Sequence, residues 1–283
     1  MSFLLSLQKM FGPRKRVIGA TDLKRALTHN EFVFYYQPEW DLRTGKVKGV
    51  EALVRWESPN GIIPPNSFIP VMEETGIISE FTPFLINQTL HDLREIHSMG
   101  FPDLFMSINL SALQLKEPML SQIIGENLAK HSIRPDLLEC EITETRSIDE
   151  AGPELAVLKG IAEKGIKVSI DDFGSGHASF NYLKNLNSHK VKVDREFVRC
   201  LFDKPSNQTI MRTIIDLGHA LGMIVLAEGI ETPDQEKWLI ENGCDYGQGF
   251  LFARPLPLSM LIAFLRERNK QQTQDQNVGP TQA

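Results

Sequence analysis

The sequence has no hydrophobic run of the roughly 20 residues needed to span a bilayer, no Cys-x-x-Cys pair and no excess of positive charge. Each absence removes a class of function. The apolar stretch in MSFLLSLQKMF is too short for a transmembrane span, and Arg14, Lys15 and Arg16 follow it, the wrong order for a secretory signal. Residues 1–19 read as a tail or linker that at most lies along a membrane surface. Cys140, Cys200 and Cys244 are too few and too scattered for a disulfide framework or zinc site, and suit a reducing cytoplasm. A formal net charge of −6 argues against polymeric nucleic acid as the main partner, because Lys and Arg carry that binding. A small anion stays compatible, since a metal ion reverses the field of an acidic pocket. No Gly-x-Gly-x-x-Gly follows the first strand, so an open dinucleotide-binding sheet lacks its usual support.

What is present is a chain of 283 residues, 42% hydrophobic, long enough for one α/β barrel. Strand-like runs fall near Phe32–Gln37, Val47–Arg55, Leu104–Leu110, Leu138–Thr143, Val168–Asp171, Val191–Val193, Ile224–Ala227 and Asp245–Phe250. Helical segments separate most of them: Thr82–Met99, Ala112–Lys130, Asp149–Lys164, Gln208–Leu221 and Pro233–Glu241. Thr232 before Pro233 is a strong helix start. The alternation predicts a TIM-like (β/α)8 barrel over 20–268. The polar, Gln-rich stretch 269–283 reads as a disordered tail.

One connection breaks the regular pattern. Gln37 to Val47 is too short for a crossover helix and contains the turn-like Arg43-Thr44-Gly45-Lys46. The first strand is therefore expected to run antiparallel to the second, with Thr44-Gly45 as the loop and Gln37 opposite Glu51 or Ala52.

The predicted strands end in polar residues: Glu51, Asn109, Glu141, Asp171 with Asp172, Lys192, Glu228 and Gln248. In a barrel these ends share one mouth. Five carboxylates there would repel one another by about 4 kcal/mol per close pair at an effective dielectric of 20, so they must take up protons or cations. All the donors are hard oxygens, which favours Mg²⁺ or Mn²⁺ over zinc. Adjacent Asp171 and Asp172 can both face the mouth only where the strand ends, and Phe173-Gly174-Ser175-Gly176 supplies a turn. Glu51, Leu53 and Arg55 share one strand face, offering a metal ligand, an apolar contact and a guanidinium for phosphate. Lys192 inside a barrel requires carboxylate partners. Glu228 is a candidate metal ligand or base, and Glu231 a support for its loop.

These residues resemble the EAL-domain family of cyclic di-GMP phosphodiesterases. The resemblance rests on Tyr36-Gln37-Pro38, Glu51-Ala52-Leu53, Asn109-Leu110-Ser111, Glu141-Ile142-Thr143-Glu144, Asp171-Asp172-Phe173-Gly174, Lys192-Val193-Asp194, Glu228-Gly229-Ile230-Glu231 and Gln248-Gly249-Phe250, in the family order. It implies two ions, one held by Glu51, Asn109, Glu141 and Asp171, the other served by Asp171 and Asp172. It also implies Lys192 and Glu228 as catalytic groups, and Gln37, Leu53, Arg55 and Gln248 as substrate contacts. Glu144 would brace a loop that links the site to a homodimer interface. The expected reaction is in-line attack of metal-activated water on cyclic di-GMP, giving linear pGpG. A module that only binds the nucleotide or a protein partner is the alternative. There is no Gly-Gly-Asp-Glu-Phe cyclase motif and no room for a large sensor domain. Ser175 and His177 depart mildly from the family pattern.

Overall fold

The computed structural model describes residues 18–143, 152–174 and 188–277. Glu144, Ser175 and His177 lie outside them. After helix α1 (Ala20–Thr28), strands β1 (Phe32–Asp41) and β2 (Lys46–Ser58) form the expected antiparallel hairpin, with Gln37 paired to Glu51. Its loop is four residues rather than two, closed by Gly45 N–H donating to Asp41 O at 2.8 Å and by Thr44 N–H donating to Asp41 Oδ1 at 2.9 Å. Gly45 has φ +64, a conformation glycine adopts without steric cost. A bulge between Glu39 and Trp40 absorbs an extra residue of β2 and restores the register.

A short strand β3 (Gly61–Ile63) and helix α2 (Ile69–Thr75) precede the long helix α3 (Ile77–Ser98). Helix α3 buries Ile78, Phe81, Leu85, Leu93 and Ile96, a helical stripe facing the sheet. The βα alternation then continues through β4 (Phe105–Leu110), α4 (Leu120–His131), β5 (Leu138–Thr143), α5 (Pro153–Glu163), β6 (Lys167–Phe173) and β7 (Lys190–Val193). Helices α6 (Arg195–Arg199) and α7 (Pro205–Ala220) lead to β8 (Ile224–Ala227). The chain ends with α8 (Pro233–Glu241), β9 (Tyr246–Gly247), β10 (Leu256–Pro257) and α9 (Leu258–Asn277).

The eight strands β1, β2, β4, β5, β6, β7, β8 and β9 close into a barrel. Strand β1 is antiparallel to both β2 and β9, and the other neighbouring pairs are parallel. Strands β3 and β10 extend the sheet at its edges.

Three expectations need correction. The helix expected over Ala112–Lys130 starts only at Leu120, because Pro118 interrupts the run and a 3-10 turn at Gln114–Lys116 precedes it. The strand expected over Asp245–Phe250 is only Tyr246–Gly247, so Gln248 sits just past a strand end. Helix α9 continues to Asn277, into the stretch 269–283 where a disordered tail was expected.

Candidate active site

Inside a barrel strand every second side chain points inward. Asn109, Glu141, Asp171 and Lys192 reach the mouth this way from the C-terminal halves of their strands, Glu51 joins them from the middle of the long strand β2, and Glu228 immediately follows β8. The Lys192 ammonium lies among the carboxylates, 2.8 Å from Glu141, 2.9 Å from Glu228, 3.2 Å from Asp171 and 3.3 Å from Glu51. Its side chain is fully buried. Desolvation opposes that charge, but the surrounding carboxylates outweigh it and hold the amine charged well above its ordinary range.

The carboxylates differ among themselves. Burial raises Glu51, but Lys192 and hydrogen bonds from Gln248 Nε2 at 2.8 Å and Asn109 Nδ2 at 2.7 Å bring it below its ordinary value. Burial drives Glu141 well above its ordinary value. Glu228 is pushed up to about 8, by burial and then by the charges of Asp171 and Glu51. Asp172 rises to about 6, from burial and from Asp171 and Asp194 beside it. Asp194 also caps α6, accepting from Glu196 N–H at 2.7 Å.

Carboxylate oxygens of Glu51, Glu141 and Asp171 lie within 4.8 Å of one another, and so do those of Asp171, Asp172 and Glu228. Asp171 belongs to both groups. Asp172 faces the same mouth as its neighbour because its backbone is left-handed (φ +55) where β6 shifts register against β7. Ser175 and Gly176 of the expected turn lie outside the described residues; within them, β6 shifts register against β7 between Ile170 and Phe173. A non-glycine residue in that conformation is strained, and such strain gathers at functional sites. The groups suit a hard cation: all the donors are oxygens, and the buried Glu141 Oε1 has no hydrogen-bond partner among the described residues.

The site opens into a cleft of about 670 Å³. Glu51, Leu53, Asn109, Asp171 and Asp172 line it on the barrel side, with Pro65, Asn66 and Ile69 from the segment before and within α2. Arg55 stands at the rim, half-buried, with its guanidinium 5.8 Å over the Tyr35 ring and Nη1 donating to Val54 O. Gln37, opposite Glu51 on β1, has its Nε2 donating to Ala253 O at 3.3 Å. Glu231 is exposed, and its loop is held by Gln235, whose Oε1 accepts from the Glu231 and Thr232 N–H groups. Sequence reasoning missed the layer beneath, Glu39, Ser107, Glu139 and Lys190, all fully buried. Its signal was present: Lys190 repeats Lys192, and Glu139 repeats Glu141, at the period of a strand.

The family model described as the EAL domain matches residues 20–255. The chain belongs to the EAL domain family. This EAL domain is 39% identical over 250 residues to "Signaling protein YkoW" of Bacillus subtilis, covering 88% of this chain and 31% of that protein. It is 37% identical over 243 residues to the "Bifunctional diguanylate cyclase/cyclic di-GMP phosphodiesterase MucR" of Pseudomonas aeruginosa, covering 86% of this chain and 36% of MucR. The chain thus spans only 31% and 36% of the length of these curated relatives. The solved structure "PaMucR Phosphodiesterase, c-di-GMP complex" matches with a TM-score of 0.81 at 36% identity, over 85% of this EAL domain and 98% of that chain. Among the described residues of the EAL domain, no helix is long and apolar enough to cross a membrane.

Proposed function

We propose that this EAL domain hydrolyses cyclic di-GMP to linear pGpG with divalent cations, Mg²⁺ or Mn²⁺. The observation that carries the reading is the pair of three-carboxylate groups sharing Asp171. Glu51, Asn109, Glu141 and Asp171 would hold one cation, and Asp171, Asp172 and Glu228 a second. Bound there, divalent cations would lower the pKa of water and neutralise charge on the oxygens of an in-line displacement.

The chain's own groups supply the rest. Lys192, held charged by its neighbours, donates hydrogen bonds to the attacking water or a phosphate oxygen. In the other role open to it, Glu228 would, once deprotonated, accept the proton of the attacking water in place of binding the second cation. Arg55 at the rim binds phosphate, Leu53 packs on a base, and Gln37 and Gln248 hydrogen-bond the nucleotide. Water oxygen bonds to phosphorus, the bond to the 3′ oxygen breaks, and that oxygen leaves as a hydroxyl, taking up the proton given by the water. Free Cys140, Cys200 and Cys244 suit the reducing cytoplasm, where we place the reaction.

Purified protein with Mg²⁺ or Mn²⁺ is expected to convert cyclic di-GMP to pGpG, and EDTA to stop it. Binding without turnover at any metal concentration would replace the reading with a non-hydrolytic module. Equal turnover of a generic phosphodiester would point to a different barrel hydrolase.

A further inference from the structure

A second polar tier lies inside the barrel, below the carboxylate site. Lys190 Nζ donates to Glu39 Oε2 at 2.5 Å and lies 2.7 Å from Glu139 Oε1. Ser107 Oγ donates to Glu39 Oε1 at 2.9 Å. The ammonium also sits 4.8 Å over the Phe105 ring. The side chains of Lys190, Glu39 and Glu139 are at most 1% exposed.

The placement follows the strand period. Ser107, Glu139 and Lys190 each stand two residues before Asn109, Glu141 and Lys192 on β4, β5 and β7. Glu39 stands two residues after Gln37 on β1, which runs the other way. Every member of the tier is therefore one inward position below a residue of the site. Stability alone gives little reason for it, because apolar side chains of the same volume would stabilise a barrel interior as well as a buried ion triad does.

We propose that Glu39, Ser107, Glu139 and Lys190 are positioning residues for the metal centre, a reading that rests on the cation-binding role argued above. Lys192 contacts the same four carboxylates that cations would share, so it must give up part of those contacts when cations bind. The Lys190–Glu139 link ties β5 to β7 independently of Lys192. It keeps Glu141 in place while the upper contacts are exchanged. Glu39 holds Lys190 down in its own tier; without that carboxylate, the Lys190 charge turns toward Glu141 and competes with the cation.

The test is Glu39→Gln, which keeps the shape: the amide oxygen accepts from Lys190 and the amide N–H donates to Ser107. Mn²⁺ binding is measured by calorimetry without substrate, alongside thermal unfolding. The variant is expected to fold and to bind Mn²⁺ about tenfold more weakly, the scale typical of groups behind metal ligands. Glu139→Gln is expected to do the same. Asp41→Asn, an equal charge change further along β1, is expected to stay within about twofold on the same scale. Unchanged Mn²⁺ affinity in both Gln variants, an equal loss in Asp41→Asn, or failure of both Gln variants to fold would overturn the proposal. Wild-type protein that binds no Mn²⁺ would instead sink the metal reading beneath it.

Discussion

At Lys192 one ammonium balances four acidic groups, and the balance decides how each can be changed. Removing the lysine would leave buried carboxylates facing one another. Removing a single carboxylate leaves the lysine three partners. Glu51→Ala is thus expected to fold, yet to lose more than about 100-fold in cyclic di-GMP turnover, beyond the 10- to 100-fold usual for groups behind a metal ligand. Circular dichroism and a turnover assay check both halves. An active, metal-dependent Glu51→Ala enzyme would contradict the assignment of Glu51. Asp172 shows what a residue can conceal: its identity is plain in the sequence, but its left-handed backbone is set by the register shift between β6 and β7, a relation between strands distant in sequence.

The loop after β8 is an element held by close approach. A Cβ on Gly249 would lie 2.1 Å from Ile230 O, and Gly229 takes φ +70 against Arg195. Ile230 N–H donates to Gln248 O at 3.0 Å, so the two loops that carry Glu228 and Gln248 are joined by backbone. Gly249→Ala is expected to destabilise the fold by about 1–3 kcal/mol and to reduce turnover by displacing Gln248, as read by thermal unfolding and the turnover assay. A variant with wild-type melting temperature would show that the loops separate easily.

Much at this scale was legible from the chain. The hairpin followed from a connection too short for a helix, and Gln37 did meet Glu51. The strand ends that carry Asn109, Glu141, Asp171 and Lys192 followed from apolar runs closed by a polar residue, while Glu51 stands mid-strand in β2. The bulge at Glu39 and the brevity of β9 were not legible, because both depend on how the barrel closes. The lower tier went unread for another reason: a Lys or Glu inside a strand reads as solvated until the opposing strand supplies its partner.

For the whole molecule, the acidic interior ties stability to pH and metal. Glu228 and Asp172 have folded values of about 8 and about 6, above the ordinary 4.5 and 3.8. Without cations the folded chain binds more protons than the unfolded chain across that window, so stability falls as pH rises from about 4.5 to 8. Lys192, raised, acts only at alkaline pH, and Glu51, lowered, acts only in acid. Under the proposed metal binding, divalent cations would take the place of the protons. The gain in melting temperature on adding Mn²⁺ is expected to be larger at about pH 8 than at about pH 5.5, the two sides of the shifted groups. An equal gain at both would mean that the cations do not replace those protons.

Reversing a single strand also decides which end of the barrel the chain enters by. With every strand parallel, the first would begin at the opposite end. Here Phe32 pairs with Trp56 beyond the Glu51 level, and α1 packs on α2, a wall of the cleft. Helix α1 therefore stands on the cleft side of the barrel, beside the mouth through which the proposed substrate would enter.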